Sequence, residues 1–337
     1  MKQYNVGLVG VGAVGTEMIK VLKDRKFPIN GKVHIFASRE RDERILDDTY
    51  HVMPATENSF SGLDIVLFAG KTDVAIQLKD AVVKAGAKMI DNSRAFRQDP
   101  KVPLVVPQVN AEDLDWNEGV IANPNCTTAI MLEAVAPLHK AKGLKRLIAA
   151  TYQAASGAGA PGLGELESQI HDYAENRPLT VKAFQHQLMY NLIPHIDKFD
   201  EENWYTLEEL KMRNEARKML HHEKLGLSCT CVRVPIARAH SESLNMEFEN
   251  EITPEEAREI LSKAEGVKVV DDPLNGKYPM PLDATAKYEV LAGRIRQDIS
   301  RDDKRGLEMF VSGDQLLRGA ALNAVEIAEQ LIKRGLI

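Results

Sequence analysis

Apolar and polar positions in the first half of the chain alternate between short strand-like runs and amphipathic stretches with helical spacing. Apolar runs of strand length lie at residues 6–9, 33–36, 64–68 and 88–91. Helical spacing follows the first run as far as Leu22, and it also connects the third run to the fourth. Strands separated by helices in this order predict a parallel, doubly wound α/β sheet.

The turn after the first strand carries a glycine pattern that bears on function. It reads Gly10-Val11-Gly12-Ala13-Val14-Gly15. Glycines at these spacings permit a tight turn and the close approach of a pyrophosphate, whose charge meets the N-terminus of the following helix. Because the motif lies between a strand and a helix, it predicts a Rossmann-type dinucleotide-binding domain. The alternative is a glycine-rich turn that serves packing alone.

The end of the second strand bears on which dinucleotide would bind. Ser38 and Arg39 follow this strand, where an NAD site usually has an acidic residue for the ribose hydroxyls. Hydroxylated and basic side chains suit a 2′-phosphate, so we predict NADP as the cofactor. Glu40 comes next and leaves NAD as the alternative.

The second half of the chain has a different pattern, which predicts a second domain. Four strand-like runs lie at residues 144–152, 228–235, 243–249 and 309–312. Residues 156–162 have the composition of a hinge-like loop, and residues 314–337 have the apolar spacing of one long helix. We predict a dinucleotide-binding domain of residues 1–126 and 314–337, and an α+β catalytic and dimerisation domain of residues 127–313.

Composition narrows the class of protein. The 337 residues are 44% hydrophobic and 27% charged with a net charge of -6, which gives no reason to expect a nucleic-acid partner. No apolar run approaches the roughly 18–20 residues of a membrane span, and the N-terminus has no signal-peptide pattern. Three cysteines are not a disulfide framework, and the nine histidines show no metal-ligand spacing. We therefore expect a protein of the reducing cytoplasm that has no nucleic-acid partner, no membrane span and no metal.

Cys126 is the first candidate for a catalytic residue. It ends the sequence Asn123-Pro124-Asn125-Cys126, a turn between an apolar strand and a helix. The first N–H groups of a helix favour an anion, so this position should lower the thiol pKa, and with Asn125 it could stabilise a substrate oxyanion. The alternative is an inert buried cysteine.

Two polar segments each have two possible interpretations. His240 lies in a predicted loop between two strands, where a histidine is either solvated or catalytic. The loop at residues 91–97 contains two arginines, one of them Arg97, and is either a phosphate site or a solvated connection.

Several segments taken together resemble the aspartate-semialdehyde dehydrogenase family over essentially the whole chain. They are Asn123-Pro124-Asn125-Cys126-Thr127-Thr128, Tyr152-Gln153 with Ser156-Gly157-Ala158-Gly159, Asn191-Leu192-Ile193-Pro194-His195-Ile196-Asp197, Val232-Arg233-Val234-Pro235 through Arg238-Ala239-His240-Ser241, and Gly319-Ala320-Ala321-Leu322-Asn323-Ala324. Each segment is weak alone, whereas five in the family's order are a specific signal.

The resemblance implies a role for each matching residue. Cys126 would be the acylated nucleophile, His240 the general acid/base and Gln153 an orienting residue. The implied substrate ligands are Arg233 and Glu208 for the amino-acid head group, with Arg97, Lys211 and Asn125 for the phosphate. Ser156, Gly157 and Asn323 would contact the cofactor, together with Gly10, Gly12, Ala13, Val14, Gly15, Ser38 and Arg39.

The reaction that the resemblance implies is the reductive dephosphorylation of L-4-aspartyl phosphate to L-aspartate 4-semialdehyde. It would use NADPH, pass through a cysteine thioester and release inorganic phosphate, in the diaminopimelate, lysine, threonine and methionine branches of biosynthesis. The family also implies a homodimer or homotetramer. The alternatives are a related acyl-phosphate or acyl-CoA reductase and a non-catalytic NADP-binding redox sensor.

Overall fold

The protein is described by a computed structural model that covers residues 2–337. The chain divides into two units, one formed by residues up to Asn125 together with Gly319–Ile337 and the other by Cys126–Arg318. The sequence pattern had assigned Cys126 and residues 314–318 to the first domain. Cys126 belongs to the second unit because it begins a helix that packs on the sheet of that unit.

Strands and helices alternate most regularly in the first half of the chain. The strands are β1 (Val6–Val9), β2 (His34–Ala37), β3 (Arg41–Ile45), β4 (Asp48–Pro54), β5 (Ile65–Phe68), β6 (Lys88–Asp91), β7 (Val120–Ala122), β8 (Leu144–Gln153), β9 (Gly226–Arg233), β10 (His240–Phe248), β11 (Val267–Val269), β12 (Val290–Gln297) and β13 (Gly306–Gly313). The helices are α1 (Ala13–Asp24), α2 (Thr72–Lys84), α3 (Pro107–Asn110), α4 (Cys126–Lys142), α5 (Gly159–Ala174), α6 (Leu207–Met219), α7 (Pro254–Ser262), α8 (Pro281–Ala284) and α9 (Leu322–Lys333).

The first unit is built on a seven-stranded sheet with the order β3-β4-β2-β1-β5-β6-β7. All neighbouring pairs are parallel except β3 with β4. The central strands β1 and β5 are buried along their whole length, as strands covered by helices on both faces must be. The chain runs outward from β1 in both directions, which confirms the predicted doubly wound, Rossmann-type fold. The sequence pattern had not predicted the hairpin of β3 and β4.

The second unit is built on a six-stranded mixed sheet with the order β11-β12-β13-β10-β8-β9. β10 is antiparallel to both of its neighbours, whereas β8 and β9 are parallel to each other. Helices α4, α6 and α7 pack on one face of this sheet. The opposite face is open, so Ile148 and Tyr152 on β8 remain exposed, while the alternate residues Leu147, Ala149 and Thr151 are buried. This unit confirms the predicted α+β domain.

Three local predictions were wrong. Residues 156–162 are not a loop, because a 3-10 turn at Ala155–Ala158 runs into α5, whose first turn accommodates Pro161. The last segment is not one helix, since a π-helical turn at Leu317–Ala321 precedes α9, which ends at Lys333. His240 is not a loop residue but the first residue of β10, and it is fully buried.

Two structural features are absent from residues 2–337. Within that range, no helix combines the length and apolar character that crossing a membrane requires. No group of three or more histidine, cysteine, aspartate or glutamate side chains in the same range is arranged to hold a metal ion.

Candidate active site

The glycine-rich turn of the first unit has the geometry of a dinucleotide site. Gly10 has a φ of 99°, and a Cβ there would lie 2.8 Å from the Ala69 carbonyl oxygen. A Cβ on Gly15 would lie 2.1 Å from the Gly10 carbonyl oxygen, so only glycine lets α1 pack this closely. Gly12 instead faces open space, with nothing within 4 Å of an added Cβ. Backbone and helix N-terminus are therefore accessible where a pyrophosphate would bind, and Ala13 and Val14 form the first turn there.

The residues after β2 are exposed, and they differ in the contacts they make. The Arg39 carbonyl oxygen accepts a hydrogen bond from Arg41, and the Ser38 and Arg39 side chains lie at the surface. The Glu40 carboxylate lies 3.2 Å from the Nε2 atom of His51 on β4. The unpredicted hairpin of β3 and β4 thus supplies a partner for the acidic residue that complicated the choice of cofactor.

The loop after β6 is ordered by its own polar groups. The Asp91 carboxylate is buried and accepts hydrogen bonds from the Ser93 backbone and hydroxyl, while its burial raises the Asp91 pKa. The half-buried Arg97 guanidinium donates to the carbonyl oxygens of Ser93 and Asn92, at 3.0 and 2.9 Å. Arg97 is therefore held by the backbone of the loop rather than extended into solvent.

An amide network joins β7 and α9 in the first unit. The Asn323 Nδ2 atom donates to the Val105 carbonyl oxygen at 2.8 Å and to the Asn123 side-chain oxygen. Asn123 in turn donates to the Ala320 carbonyl oxygen at 3.0 Å. The buried Asn323 Oδ1 atom has no hydrogen-bond partner among the residues described, which leaves an acceptor available.

The second unit holds the candidate nucleophile. Cys126 is the first residue of α4 and is partly exposed, whereas Cys229 and Cys231 are buried. The Cys126 Sγ atom lies 3.9 Å from the Thr127 hydroxyl oxygen. Contact with Cys229, together with burial, raises the Cys231 pKa, so that thiol is kept protonated. Of the three cysteines, only Cys126 combines access with a helix N-terminus. Asn125, which precedes it, is largely buried in the first unit.

The strand register brings Gln153, Arg233 and His240 to one edge of the sheet. Gln153 and Arg233 are paired at the ends of the parallel strands β8 and β9. β10 runs the other way, and its residue Ser241 pairs with Tyr152, so His240 begins β10 beside the end of β8. All three side chains are more than 90% buried.

A polar chain links Gln153 to α6. Gln153 accepts a hydrogen bond from the Thr151 hydroxyl and donates one to the Glu208 carboxylate, at 3.0 and 3.1 Å. Lys211 Nζ bridges Glu208, at 3.1 Å, and Asp197, at 2.6 Å. Although burial lowers it, the two carboxylates together raise the Lys211 pKa, so this lysine is charged. Thr206 and Glu209 form a capping box that fixes the start of α6, and with it the position of Glu208.

Arg233 lies between these hydrogen-bonded polar residues and His240. Its guanidinium donates to the Ala154 carbonyl oxygen at 2.7 Å and is 5.9 Å from the centre of the Phe184 ring. Burial lowers the Arg233 pKa, while the negative charges of Glu208 and Cys126 act in the opposite direction. Arg233 and Cys126 are therefore close enough to interact electrostatically.

Gly157 packs directly on the side chains of Arg233 and His240. A Cβ at this position would lie 2.8 Å from an Arg233 guanidinium nitrogen and 2.9 Å from His240 Cε1. The preceding Ser156 hydroxyl donates to the Ala237 carbonyl oxygen and accepts from Gln315. The Ser156 side chain thus anchors this turn, and its contact with the cofactor stays a prediction.

His240 is completely buried, and its ring nitrogens differ. Nδ1 accepts a hydrogen bond from the Ala154 backbone N–H at 3.0 Å, and Nε2 has no hydrogen-bond partner within residues 2–337. Burial, and next the charge of Arg233, lower the His240 pKa well below its usual value.

The structure thus groups the predicted residues into two sets. The second unit holds Cys126, Gln153, Ser156, Gly157, Glu208, Lys211, Arg233 and His240; the first holds Gly10, Gly12, Ala13, Val14, Gly15, Ser38, Arg39, Arg97, Asn125 and Asn323. Sequence reasoning had missed Thr151, the Ala154 backbone and Asp197. The alternation along β8 could have indicated Thr151, two positions before Gln153, whereas a backbone contact leaves no mark in the sequence.

Comparisons with known proteins match both units of the chain. The model of the semialdehyde dehydrogenase NAD binding domain matches residues 5–116, and that of the semialdehyde dehydrogenase dimerisation domain matches residues 135–318. The aspartate-semialdehyde dehydrogenase of Aquifex aeolicus is 46% identical over 342 residues, which cover 99% of each chain. That of Bacillus subtilis is 42% identical over 344 residues, again 99% of each chain.

A solved structure is similar to this protein over almost the whole chain. The aspartate semialdehyde dehydrogenase II of Vibrio cholerae, complexed with ASA, has a TM-score of 0.94 at 36% identity and covers 99% of each chain. Two family models that together match most of the chain, and full-length relatives above 40% identity, leave one assignment: the chain belongs to the semialdehyde dehydrogenase family, among the aspartate-semialdehyde dehydrogenases.

Proposed function

We propose that this enzyme catalyses the reductive dephosphorylation of L-4-aspartyl phosphate to L-aspartate 4-semialdehyde through a thioester on Cys126. The observation that carries the proposal is the position of Cys126, which is accessible at the start of α4 and next to the charge of Arg233. A helix N-terminus and a guanidinium both stabilise a thiolate, which is the nucleophilic form of cysteine.

The covalent step follows from that position. The Cys126 thiolate attacks the acyl carbon, the carbonyl electrons move to the oxygen, and their return breaks the bond to phosphate and leaves a thioester. NADPH held at the glycine turn would supply hydride for the reduction of this thioester. His240 and Gln153 lie at one edge of the sheet in the same unit, where we assign them to the carbonyl oxygen and to the orientation of the acyl group.

The head group of the substrate is assigned to the polar chain beside Gln153. The planar guanidinium of Arg233 suits bidentate binding of the α-carboxylate. The buried Glu208 carboxylate, fixed by Gln153 and Lys211, suits the α-ammonium group. Because both side chains are buried, a substrate lacking either charge would lose a charge-assisted hydrogen bond in a desolvated site, which predicts strict selectivity.

For phosphate binding, the family resemblance implies Arg97, Lys211 and Asn125. Arg97 is already oriented by two carbonyl oxygens, so little side-chain entropy is lost when it binds an anion. Lys211 is charged, but its ammonium group already forms ion pairs with Glu208 and Asp197. We therefore expect Arg97 to contribute more to phosphate affinity than Lys211.

NADP is the proposed cofactor. The glycine turn fits a dinucleotide, and the exposed Arg39 and Ser38 fit a 2′-phosphate. Glu40 is the third residue after β2, and its carboxylate is near His51 on the hairpin of β3 and β4. It therefore does not occupy the position at the strand end where an NAD site usually has its acidic residue. The Asn323 Oδ1 atom would accept from the carboxamide of the nicotinamide.

The enzyme is proposed to be a homodimer that uses the open face of the second sheet. Tyr152 and Phe310 pack together on that face, with ring centres 6.0 Å apart, and Ile148 beside them is exposed. The matching dimerisation-domain model covers these strands. A homotetramer would be a pair of such dimers. Since the three cysteines are unpaired, we place the enzyme in the reducing cytoplasm.

The test is phosphate-dependent reduction of NADP by L-aspartate 4-semialdehyde, with NAD measured side by side. We expect turnover that requires phosphate and favours NADP. Activity with coenzyme A in place of phosphate would indicate an acyl-CoA reductase instead. Binding of NADP without turnover of any aldehyde would favour the redox-sensor alternative.

A further inference from the structure

The ends of four neighbouring strands form a continuous row along one edge of the first sheet. The strands are β1, β5, β6 and β7, which are adjacent in this order and parallel. Ala69, Asn92 and Asn123 follow β5, β6 and β7, and each donates its backbone N–H to the last residue of the neighbouring strand. All of them therefore lie at the carboxyl ends of strands, which is the edge where doubly wound sheets bind their ligands.

A chain of three side-chain amides joins this row to α9. The Asn323 Nδ2 atom donates to the Asn123 Oδ1 atom, and the Asn123 Nδ2 atom donates to the Asn92 Oδ1 atom. Two backbone carbonyl oxygens fix this direction, since Asn323 also donates to Val105 at 2.8 Å and Asn123 to Ala320 at 3.0 Å. A carbonyl oxygen only accepts, so turning either amide around would bring two acceptors together.

The direction of the chain leaves Asn92 with an unused donor. The Asn92 backbone N–H donates to Phe68, and the Asn92 carbonyl oxygen accepts from Arg97 at 2.9 Å. The Oδ1 atom accepts from Asn123, so the Nδ2 atom is the end of the chain. This nitrogen is buried and meets no acceptor within residues 2–337. Because a buried N–H without a partner is costly, we expect a bound ligand to supply the acceptor.

We propose that Asn92 is a cofactor-binding residue whose Nδ2 atom donates a hydrogen bond to an oxygen of the nicotinamide ribose, with Asn123 as the positioning residue. The inference rests on the proposed NADP cofactor and goes beyond it. It adds a contact to the part of the cofactor between the pyrophosphate and the nicotinamide ring.

The order of the contacts along the sheet edge matches the order of groups along the cofactor. Arg39 after β2 is assigned to the 2′-phosphate, and the glycine turn after the neighbouring β1 is assigned to the pyrophosphate. Asn323, at the far end of the amide chain, is assigned to the nicotinamide. Asn92 lies between the last two, because β6 is two strands from β1, or about 10 Å at the usual strand spacing. In the cofactor, the group between pyrophosphate and nicotinamide is the ribose.

The competing ligand is the phosphate of the substrate, because Arg97 is one of its proposed ligands and contacts Asn92. That contact is made by the Asn92 carbonyl oxygen, whereas the unused donor belongs to the amide chain. The chain leads to Asn323, the proposed nicotinamide contact, and this favours the ribose.

Three ligands of increasing length locate the contact. Adenosine 2′,5′-bisphosphate ends before the second ribose, 2′-phosphoadenosine diphosphoribose includes that ribose, and NADPH adds the nicotinamide. We expect Asn92→Ala to weaken the last two by the same factor, about 3- to 10-fold for one hydrogen bond, and to leave the first unchanged. Asn123→Ala should show the same pattern, because the Asn92 amide is then no longer fixed. Asn323→Ala should weaken NADPH alone.

Dissociation constants from titration calorimetry on the full-length enzyme decide between the outcomes. Equal weakening of all three ligands in Asn92→Ala would mean that the loop is disturbed, and weakening of NADPH alone would place the contact at the nicotinamide. Either result would overturn the inference, as would unchanged affinities. A raised KM for phosphate with unchanged affinity for the diphosphoribose would assign Asn92 to the substrate and overturn it as well.

Asn30→Ala is the matched control for replacing an asparagine of the same unit. Asn30 is exposed, and its Nδ2 atom donates to Asn5, which precedes β1, at 3.0 Å. This places Asn30 at the opposite edge of the sheet, so we expect all three affinities to stay unchanged.

A crystal structure of the wild-type enzyme with 2′-phosphoadenosine diphosphoribose tests the contact without any substitution. We expect the Asn92 Nδ2 atom about 3 Å from a ribose oxygen, and a nitrogen bonded to no ligand atom would overturn the inference. A wild-type enzyme that binds the diphosphoribose but is inert toward aspartate semialdehyde would refute the proposed reaction, and the binding data would still decide the role of Asn92. A wild-type enzyme that binds none of the three ligands would refute the cofactor and the inference together.

Discussion

Replacing Gly157 by alanine tests the packing of the candidate site through a single methyl group. The added Cβ would lie 2.8 Å from an Arg233 guanidinium nitrogen, 2.9 Å from His240 Cε1 and 3.1 Å from His240 Nε2. Non-bonded carbon atoms prefer separations of about 3.5–4.0 Å, so the His240 ring must move by about 0.5–1 Å. Neither side chain can move freely, because each is bonded to Ala154.

The expected effect can be worked out from this displacement. A misplacement of about 1 Å lowers turnover by about 10²-fold, and we expect a loss of about 10- to 10²-fold in kcat for Gly157→Ala. Overpacking costs about 1–3 kcal/mol of unfolding free energy. The lower entropy of the unfolded alanine chain offsets about 0.4–1 kcal/mol of that cost. Unfolding free energy should thus fall by no more than about 2.6 kcal/mol, and the loss of activity is not a loss of folding.

The assay compares kcat, KM and denaturant unfolding for Gly157→Ala and Gly164→Ala. Gly164 is an exposed residue of α5, and nothing lies within 4 Å of a Cβ added there. We expect Gly164→Ala to keep wild-type kinetics and to gain about 0.4–1 kcal/mol in stability. Wild-type kcat and KM in Gly157→Ala would refute the reasoning, because the contacts that position His240 and Arg233 would then not matter for catalysis.

Three more substitutions separate the remaining roles. Cys126→Ser should nearly abolish turnover while NADP binding, measured by titration calorimetry, stays intact, because an alcohol is hardly ionised where a thiol is activated; substantial residual turnover would contradict a covalent mechanism. Arg39→Ala should raise the KM for NADP more than that for NAD, and equal changes would argue against a 2′-phosphate site. Glu242→Gln should reduce the decline in unfolding free energy as the pH rises above 4.5, since a carboxyl group whose pKa is raised by folding stabilises the protein at low pH and loses that contribution as the pH increases. Urea unfolding at several pH values checks this, and parallel pH profiles for variant and wild type would contradict it.

Local patterns in the sequence were sufficient for the dinucleotide-binding fold. Period-two and period-3.6 spacing depend only on nearby residues, so β1, β5, α1 and α2 could be predicted before any contact was known. The glycine turn is local in the same sense, because the Gly10 φ of 99° and the contact of Gly15 with the Gly10 carbonyl oxygen both arise within the turn. The errors at residues 156–162 and 314–337 arose where glycine and small residues suit a loop and a tightly packed helix equally well.

The candidate site depends on contacts that no local pattern contains. Gln153, Arg233 and His240 are separated by up to 87 positions, and the register of β8, β9 and β10 alone brings them to one edge of the sheet. The family resemblance suggested which residues matter, yet His240 was placed in a loop and its burial could not be foreseen. The Ala154 N–H that donates to His240 belongs to the backbone, which every residue type except proline supplies equally. Residue identities therefore determined which chemical groups this protein possesses, whereas strand pairing over long sequence separations decided their burial and mutual orientation, because these depend on neighbours that only the folded chain provides.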